Sequence, residues 1–133
     1  MSNERDLRTL LASLSPKLDP EPYVFVGGLE AVPVGITPLT TFREAEGLSL
    51  VVPAAVWAAT GGPASAPHAR LTMTVHSSLE AVGMTAAMAT ALTERGISAN
   101  VVAAYYHDHI FVPWDRRHEA MDAIRALAMR ASA

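Results

Sequence analysis

Two histidines flank an aspartate in "YYHDHIFVP", residues 105 to 113. In one regular strand His107 and His109 would share a face, as a pair of metal ligands must. His76, at the end of an earlier β-like run, is the natural third ligand. Ser77 or Ser78 with a histidine and Asp108 supplies the residue types of a hydrolytic triad. Neither chemistry has a supporting motif, because no HExxH, no carboxylate cluster and no GxSxG elbow accompanies these residues. The reading we favour is a hairpin turn near His107-Asp108, with Asp108 bonding backbone N–H groups and the histidines covering strand ends. On that reading alanine at His107 or His109 costs little stability, the catalytic residues are none and the metal is none.

The second polar concentration is "TPLTTFREAEG". Arg43 beside Glu44 and Glu46 reads first as a surface ion pair. Its planar fork also suits a ligand carboxylate. The third is the segment from His76 to Gly83. Ser77 and Glu80 fit an S-x-x-E capping box at a helix start. The unpaired N–H groups there can instead receive a small anionic ligand, with Gly83 allowing close backbone approach.

The surrounding elements must position these groups. Leu7, Leu10, Leu11 and Leu14 follow helical spacing, with Ser2 or Asn3 as cap and Pro16 as stop. "YVFVGGL" (23–29), "LTTFREAE" and "LSLVVP" read as strands, with Gly47 turning between the last two. "AAVWAAT" is a short helix, and its Trp57 reads as a core residue. "GGPASAPHA" (61–69) is the best linker. "RLTMTVHS" alternates as a half-buried strand. A helix over about 80 to 95 follows, with Val82, Ala86, Ala89 and Leu92 or Thr93 set to face the sheet. Its other side, Met84, Met88 and Ala91, is also apolar and free for a second contact. Two strands, "ISANVVAAYY" and "HIFVPW", lead to a last helix capped by Asp115, with Met121, Ile124, Leu127 and Ala128 as its stripe.

The order is αβββα then βαββα. The second half is one strand short of a ferredoxin-like βαββαβ layer. The expectation is an α+β fold of two tandem halves with antiparallel sheets, 1–62 and 63–133, sharing strands. The strand at 22 to 28 is expected to complete the sheet of the other half.

Composition bounds the function classes. Hydrophobic residues make up 50% and charged residues 17% of the 133, a composition that folds. The net charge is −3 and basic residues are unclustered, which argues against nucleic acid as a partner. The chain has no cysteine, hence no disulfide and no thiolate metal site. No run approaches a membrane span, and the charged "MSNERDLRTLLASL" does not look like a signal peptide. A soluble cytoplasmic protein is expected.

The run from Gly83 through Ala86 and Leu92 to Glu94, Gly96 and Ile97 resembles the Gly-x-x-Ala…Leu-x-Glu-x-Gly-Ile helix of the ACT domain. That is a small ligand-binding regulatory module of βαββαβ fold. The resemblance covers about 70 to 129. The whole chain, including "TFREAEGLSLVVP" and "LTMTVHSSLEAVG", is similar to small stand-alone bacterial ACT proteins built of two halves. The family's usual Asp/Arg-Pro before the glycine is here Ala81-Val82, and the expectation is of an ACT protein with no catalytic domain attached. The resemblance implies a non-enzymatic sensor for an amino acid or similar metabolite, with no cofactor, acting as a homodimer. It implies a ligand loop of Ser77, Ser78, Leu79, Glu80, Val82 and Gly83, with Met84 just after and Asn100 facing the same ligand. On this view Gly83→Asp abolishes binding while the fold forms. The alternatives are an ACT-fold interaction module that binds no ligand, and a histidine-based metal protein.

Overall fold

The computed structural model describes residues 4–74 and 82–133, with side chains from residue 7 onward. The elements in order are α1 (Glu4–Ala12), β1 (Pro16–Leu18), β2 (Tyr23–Leu29), β3 (Thr40–Glu44), β4 (Gly47–Pro53) and α2 (Ala54–Ala58). Then come β5 (His68–Met73), α3 (Met84–Thr93), β6 (Asn100–Ala103), β7 (Asp108–Pro113), a 3-10 turn (Trp114–Arg116) and α4 (Arg117–Ser132). They form two compact units: Met1–Asp19 with Ala69–Ala133, and Pro20–His68.

In the larger unit the strands lie in the order β1-β5-β7-β6. β5, α3, β6, β7 and α4 are the βαββα series read from the sequence. The strand it lacks is supplied by β1, antiparallel to β5 with Pro16 opposite Met73 and Leu18 opposite Leu71. Strand sharing is therefore present, but Pro16–Leu18 fills the missing position rather than residues 22–28. A three-residue strand begun by proline carries no periodicity, so it reads from sequence only as the end of α1. Residues 23–29 instead run along β4, from Tyr23 opposite Pro53 to Leu29 opposite Leu48, and meet β5 only where Tyr23 pairs with His68.

α1 belongs to this larger unit because its leucine stripe has nowhere else to go. Leu11 and Leu14 are buried in one apolar cluster with Leu71, Met73, Met88, Ile110 and Ile124, and Leu7 and Leu10 pack against it. Burying a leucine is worth about 1.5–3 kcal/mol, enough for two of them to hold a two-turn helix that is unstable alone. α3 buries Met84, Met88 and Ala91, the side left for a second contact, together with Leu92 of the sheet-facing set, whereas Ala86 of that set and Val82 just before the helix are exposed. An Ala- and Thr-rich helix has little amphipathic bias, so the bulk of its methionines decides which side fills the core. α4 buries Met121, Ile124 and Ala128 as expected, but Asp115 does not cap it. Asp115 lies in the 3-10 turn, and Arg116 occupies the cap position. The Arg116 guanidinium donates to the carbonyls of Arg95 at 2.9 Å and Gly96 at 3.4 Å. It also pairs with Glu119 at 2.7 Å. These carbonyls belong to the turn just after α3, so the cation stands beyond the negative end of that helix and satisfies the chain that leaves it.

The smaller unit is a three-stranded antiparallel sheet, β3-β4-β2, carrying α2. Val24, Val26, Leu50, Val52 and Trp57 form its core, with Val32, Ile36 and Leu48 packed against them. The Trp57 indole N–H donates to the carbonyls of Gly62 and Pro63, both at 3.2 Å. Residues 61–67 are thus no free tether. Ser65 exchanges two 2.9 Å bonds with Phe25, its N–H to the Phe25 carbonyl and its hydroxyl accepting the Phe25 N–H. No helix follows β2; residues 30–39 are turns and irregular chain.

Candidate functional site

The histidine pair sits in the β6–β7 hairpin. Ala103 pairs with Asp108 and Val102 with His109. The Ala104 N–H reaches the His107 carbonyl at 3.0 Å, so the turn is centred on Tyr105-Tyr106, two residues before the expected place. Asp108 is a strand residue, and the two tyrosines stand out of the turn, 71% and 61% exposed, edge to face at 4.9 Å. His109 shares a 3.0 Å hydrogen bond with the Thr72 hydroxyl on β5. Burial, then the positive charges of Arg70 and His107, hold its pKa below 6.5 against the opposing pull of Asp108. A neutral imidazole bonded across two strands is a seam in the sheet. His107 keeps Nδ1 buried with no hydrogen-bond partner among the described residues. No three His, Asp or Glu side chains among the described residues are placed to hold a metal ion. His76, the third ligand of the metal reading, and the triad serines lie outside the described residues.

Of the expected ligand loop, Ser77, Ser78, Leu79 and Glu80 also lie outside the described residues, and the capping box with them. Val82 is 70% exposed. Gly83 is the N-cap of α3, with φ 93° and ψ −16°. A Cβ there would stand 2.9 Å from Leu7 Cδ2. Gly83→Asp strains the backbone at this positive φ and displaces the end of the Leu7 side chain, so it tests local packing together with binding. The Met84 side chain is 3% exposed and points into the core, leaving only its backbone to a ligand. Asn100 is exposed at the start of β6, opposite Phe111.

Arg43 lies in the smaller unit, at an open groove of about 800 Å³. The ladder places it there: Leu29 on β2 stands opposite Leu48 on β4, which stands opposite Arg43 on β3. Residues opposite one another across antiparallel strands share a face, here the face that bears the core residues Leu48 and Leu50. Leu29, Val32 and Leu48 give the groove its apolar wall, and Arg43 with Glu30 and Glu46 its charge. The expected Arg43 ion pair is not formed among the described residues. Adjacent strand residues point to opposite faces, and Glu44 accepts a hydrogen bond from the Ser49 hydroxyl instead. Sequence reading missed Glu30 and left Glu46 only as a partner for Arg43. The compositional signal covered only Arg43, the single Arg or Lys between residues 20 and 68.

A family model described as the ACT domain matches residues 2–67, and a second one matches 65–126. The chain belongs to the ACT domain family. ACT domains typically bind amino acids in regulatory proteins. No curated protein matches the chain. Among solved structures it is similar to a Vibrio cholerae protein of unknown function, described as a possible transport protein. Identity is 46%, the TM-score 0.84, and 93% of this chain and 97% of that one are covered. An Agobacterium tumefaciens protein is 18% identical, with TM-score 0.67 and 86% and 89% covered. The regulatory subunit of aspartate kinase from Thermus thermophilus is 15% identical, with TM-score 0.60 and 84% and 95% covered. The last two share the ACT fold. No helix among the described residues is long and apolar enough to cross a membrane.

Proposed function

We propose that this ACT protein is a non-catalytic cytoplasmic sensor that binds a free amino acid and acts as a homodimer. The observation that carries the reading is Arg43. It is the one Arg or Lys of the stretch 20–68, it makes no ion pair among the described residues, and it lines an open groove with an apolar wall and carboxylates beside it. Its fork suits the ligand's α-carboxylate, and Glu30 or Glu46 suits the ammonium. The loop of Ser77, Ser78, Leu79, Glu80, Val82 and Gly83, with the Met84 backbone and Asn100, is a second candidate position, supported by the family pattern.

The test is a thermal-shift screen of the full chain against the amino acids, repeated on Arg43→Ala and on Asn100→Ala. At 100 times its dissociation constant a ligand adds about 2.7 kcal/mol, a shift of several degrees in a domain of this size. The expected result is a shift lost in Arg43→Ala, with the unliganded midpoint unchanged. Loss in Asn100→Ala instead would move the site to the α3 loop. A blank screen would favour the interaction module.

A further inference from the structure

The charge of the smaller unit is gathered in one place. Between residues 20 and 68 the charged residues are Arg43, Glu21, Glu30, Glu44 and Glu46, and all but Glu21 border the groove. A polar surface serving only solubility spreads its charges and mixes their signs. Here one cation stands at a groove with two carboxylates, Glu30 and Glu46, while the Glu44 carboxylate turns to the other face of β3. Glu44 is engaged by Ser49. Glu30 and Glu46 have no ion pair among the described residues.

The balance decides what fits. A neutral amino acid brings one carboxylate, matched by Arg43, and one ammonium, matched by one glutamate. The other glutamate is then left beside a ligand that has taken its water. An acidic ligand makes this worse, because its second carboxylate meets two of the same sign. A ligand with a second cation at the end of an aliphatic stem closes the account: the stem lies on Leu29, Val32 and Leu48, and the cationic head meets the remaining carboxylate. We propose that the groove selects amino acids with a cationic side chain, of the lysine or arginine kind. This rests on the amino-acid reading above and adds its selectivity.

The groove owes its existence to a local feature of this half. Thr41 and Arg43 stand opposite Leu50 and Leu48, on the face that carries the core. The chain after β2 covers that face with the irregular stretch 30–39 rather than a helix. Its end nearest β3 stays open. Gly28 and Gly47, both at positive φ, let β2 and the β3–β4 turn come close beneath it.

Titration calorimetry of the full chain with L-arginine, L-lysine, L-leucine and L-glutamate tests the proposal, using wild type, Glu30→Gln, Glu46→Gln and the double variant. Both glutamates are exposed, so the variants fold. Arginine or lysine is expected to bind at least about tenfold tighter than leucine, the worth of one charge-assisted hydrogen bond. One of the two single variants is expected to erase that preference while leucine binding stays, and the double variant to weaken leucine as well, because it also removes the carboxylate that meets the α-ammonium. Equal binding of leucine, tighter binding of glutamate, or a preference that survives the double variant would overturn the selectivity and leave the amino-acid reading standing. No heat with any of the four would remove both.

Discussion

Gly47→Ala puts the groove's foundation to the test. Gly47 sits at φ 132°, where a side chain is strained, and a Cβ added there would lie 3.0 Å from the Gly28 carbonyl carbon, from Gly28 Cα and from the Leu29 carbonyl oxygen. All three are backbone atoms, so no rotamer change relieves the contact. The strained conformation costs about 1–3 kcal/mol. Moving the β2 backbone by a few tenths of an ångström adds about 1 kcal/mol, since overpacking costs about 1–3. The sum is about 2–4 kcal/mol. Gly28→Ala is the control: its φ is 72°, and nothing lies within 4 Å of the added Cβ, so the left-handed conformation alone is charged, about 1–2 kcal/mol. The assay is urea unfolding followed by Trp57, which is buried in the smaller unit's core, in a Trp114→Phe background. With a slope of about 1–3 kcal/mol per molar urea, Gly47→Ala should lower the midpoint by about 1 M or more. A cost no greater than that of Gly28→Ala would refute the argument that backbone crowding makes this glycine necessary.

Three further outcomes are expected. Met88→Ala removes a side chain with no exposed surface and should cost about 2–5 kcal/mol in urea unfolding, whereas Ala86→Ser on the exposed face should stay within about 0.5 kcal/mol. His109 has a folded pKa below 6.5, so between that value and 6.5 the unfolded chain binds more protons. Its contribution is present above 6.5 and lost as pH falls through the folded value; urea midpoints from pH 8 to pH 5 should fall more in wild type than in His109→Gln. Gly83→Ala should lower the melting temperature, and adding Leu7→Ala, which clears the 2.9 Å approach, should make the glycine substitution cost less than it does alone.

Much of the fold was legible where side chains alternate or repeat. β2 is the read run "YVFVGGL", and β5 buries Ala69, Leu71 and Met73 in strict alternation. The leucine stripe of α1 was legible as a helix, but not its destination, because periodicity says which face is buried and not against what. β1 was illegible for want of length. The hairpin turn was misplaced because Tyr105 and Tyr106 are residues of strand type and Asp108 is of turn type; the register that pairs Asp108 with Ala103 overrode both. Arg43 could be found by composition alone. Glu30 could not, since only the row Leu29, Leu48, Arg43 brings the end of β2 to the same groove.

The pairing of β1 with β5 also sets a timetable. Residues 4–18 leave the ribosome before Pro20–His68, and their partners Leu71–Met73 come only afterwards. At about 5–20 residues per second that delay is a matter of seconds. The sheet β3-β4-β2 can zip up in the meantime, since every strand it needs is already made. The leucines of α1 spend the interval uncovered and available to a chaperone. Nascent chains in which residues up to 68 have emerged should therefore hold a closed small unit trailing an uncovered leucine-rich segment, which becomes helical only when the later elements cover it.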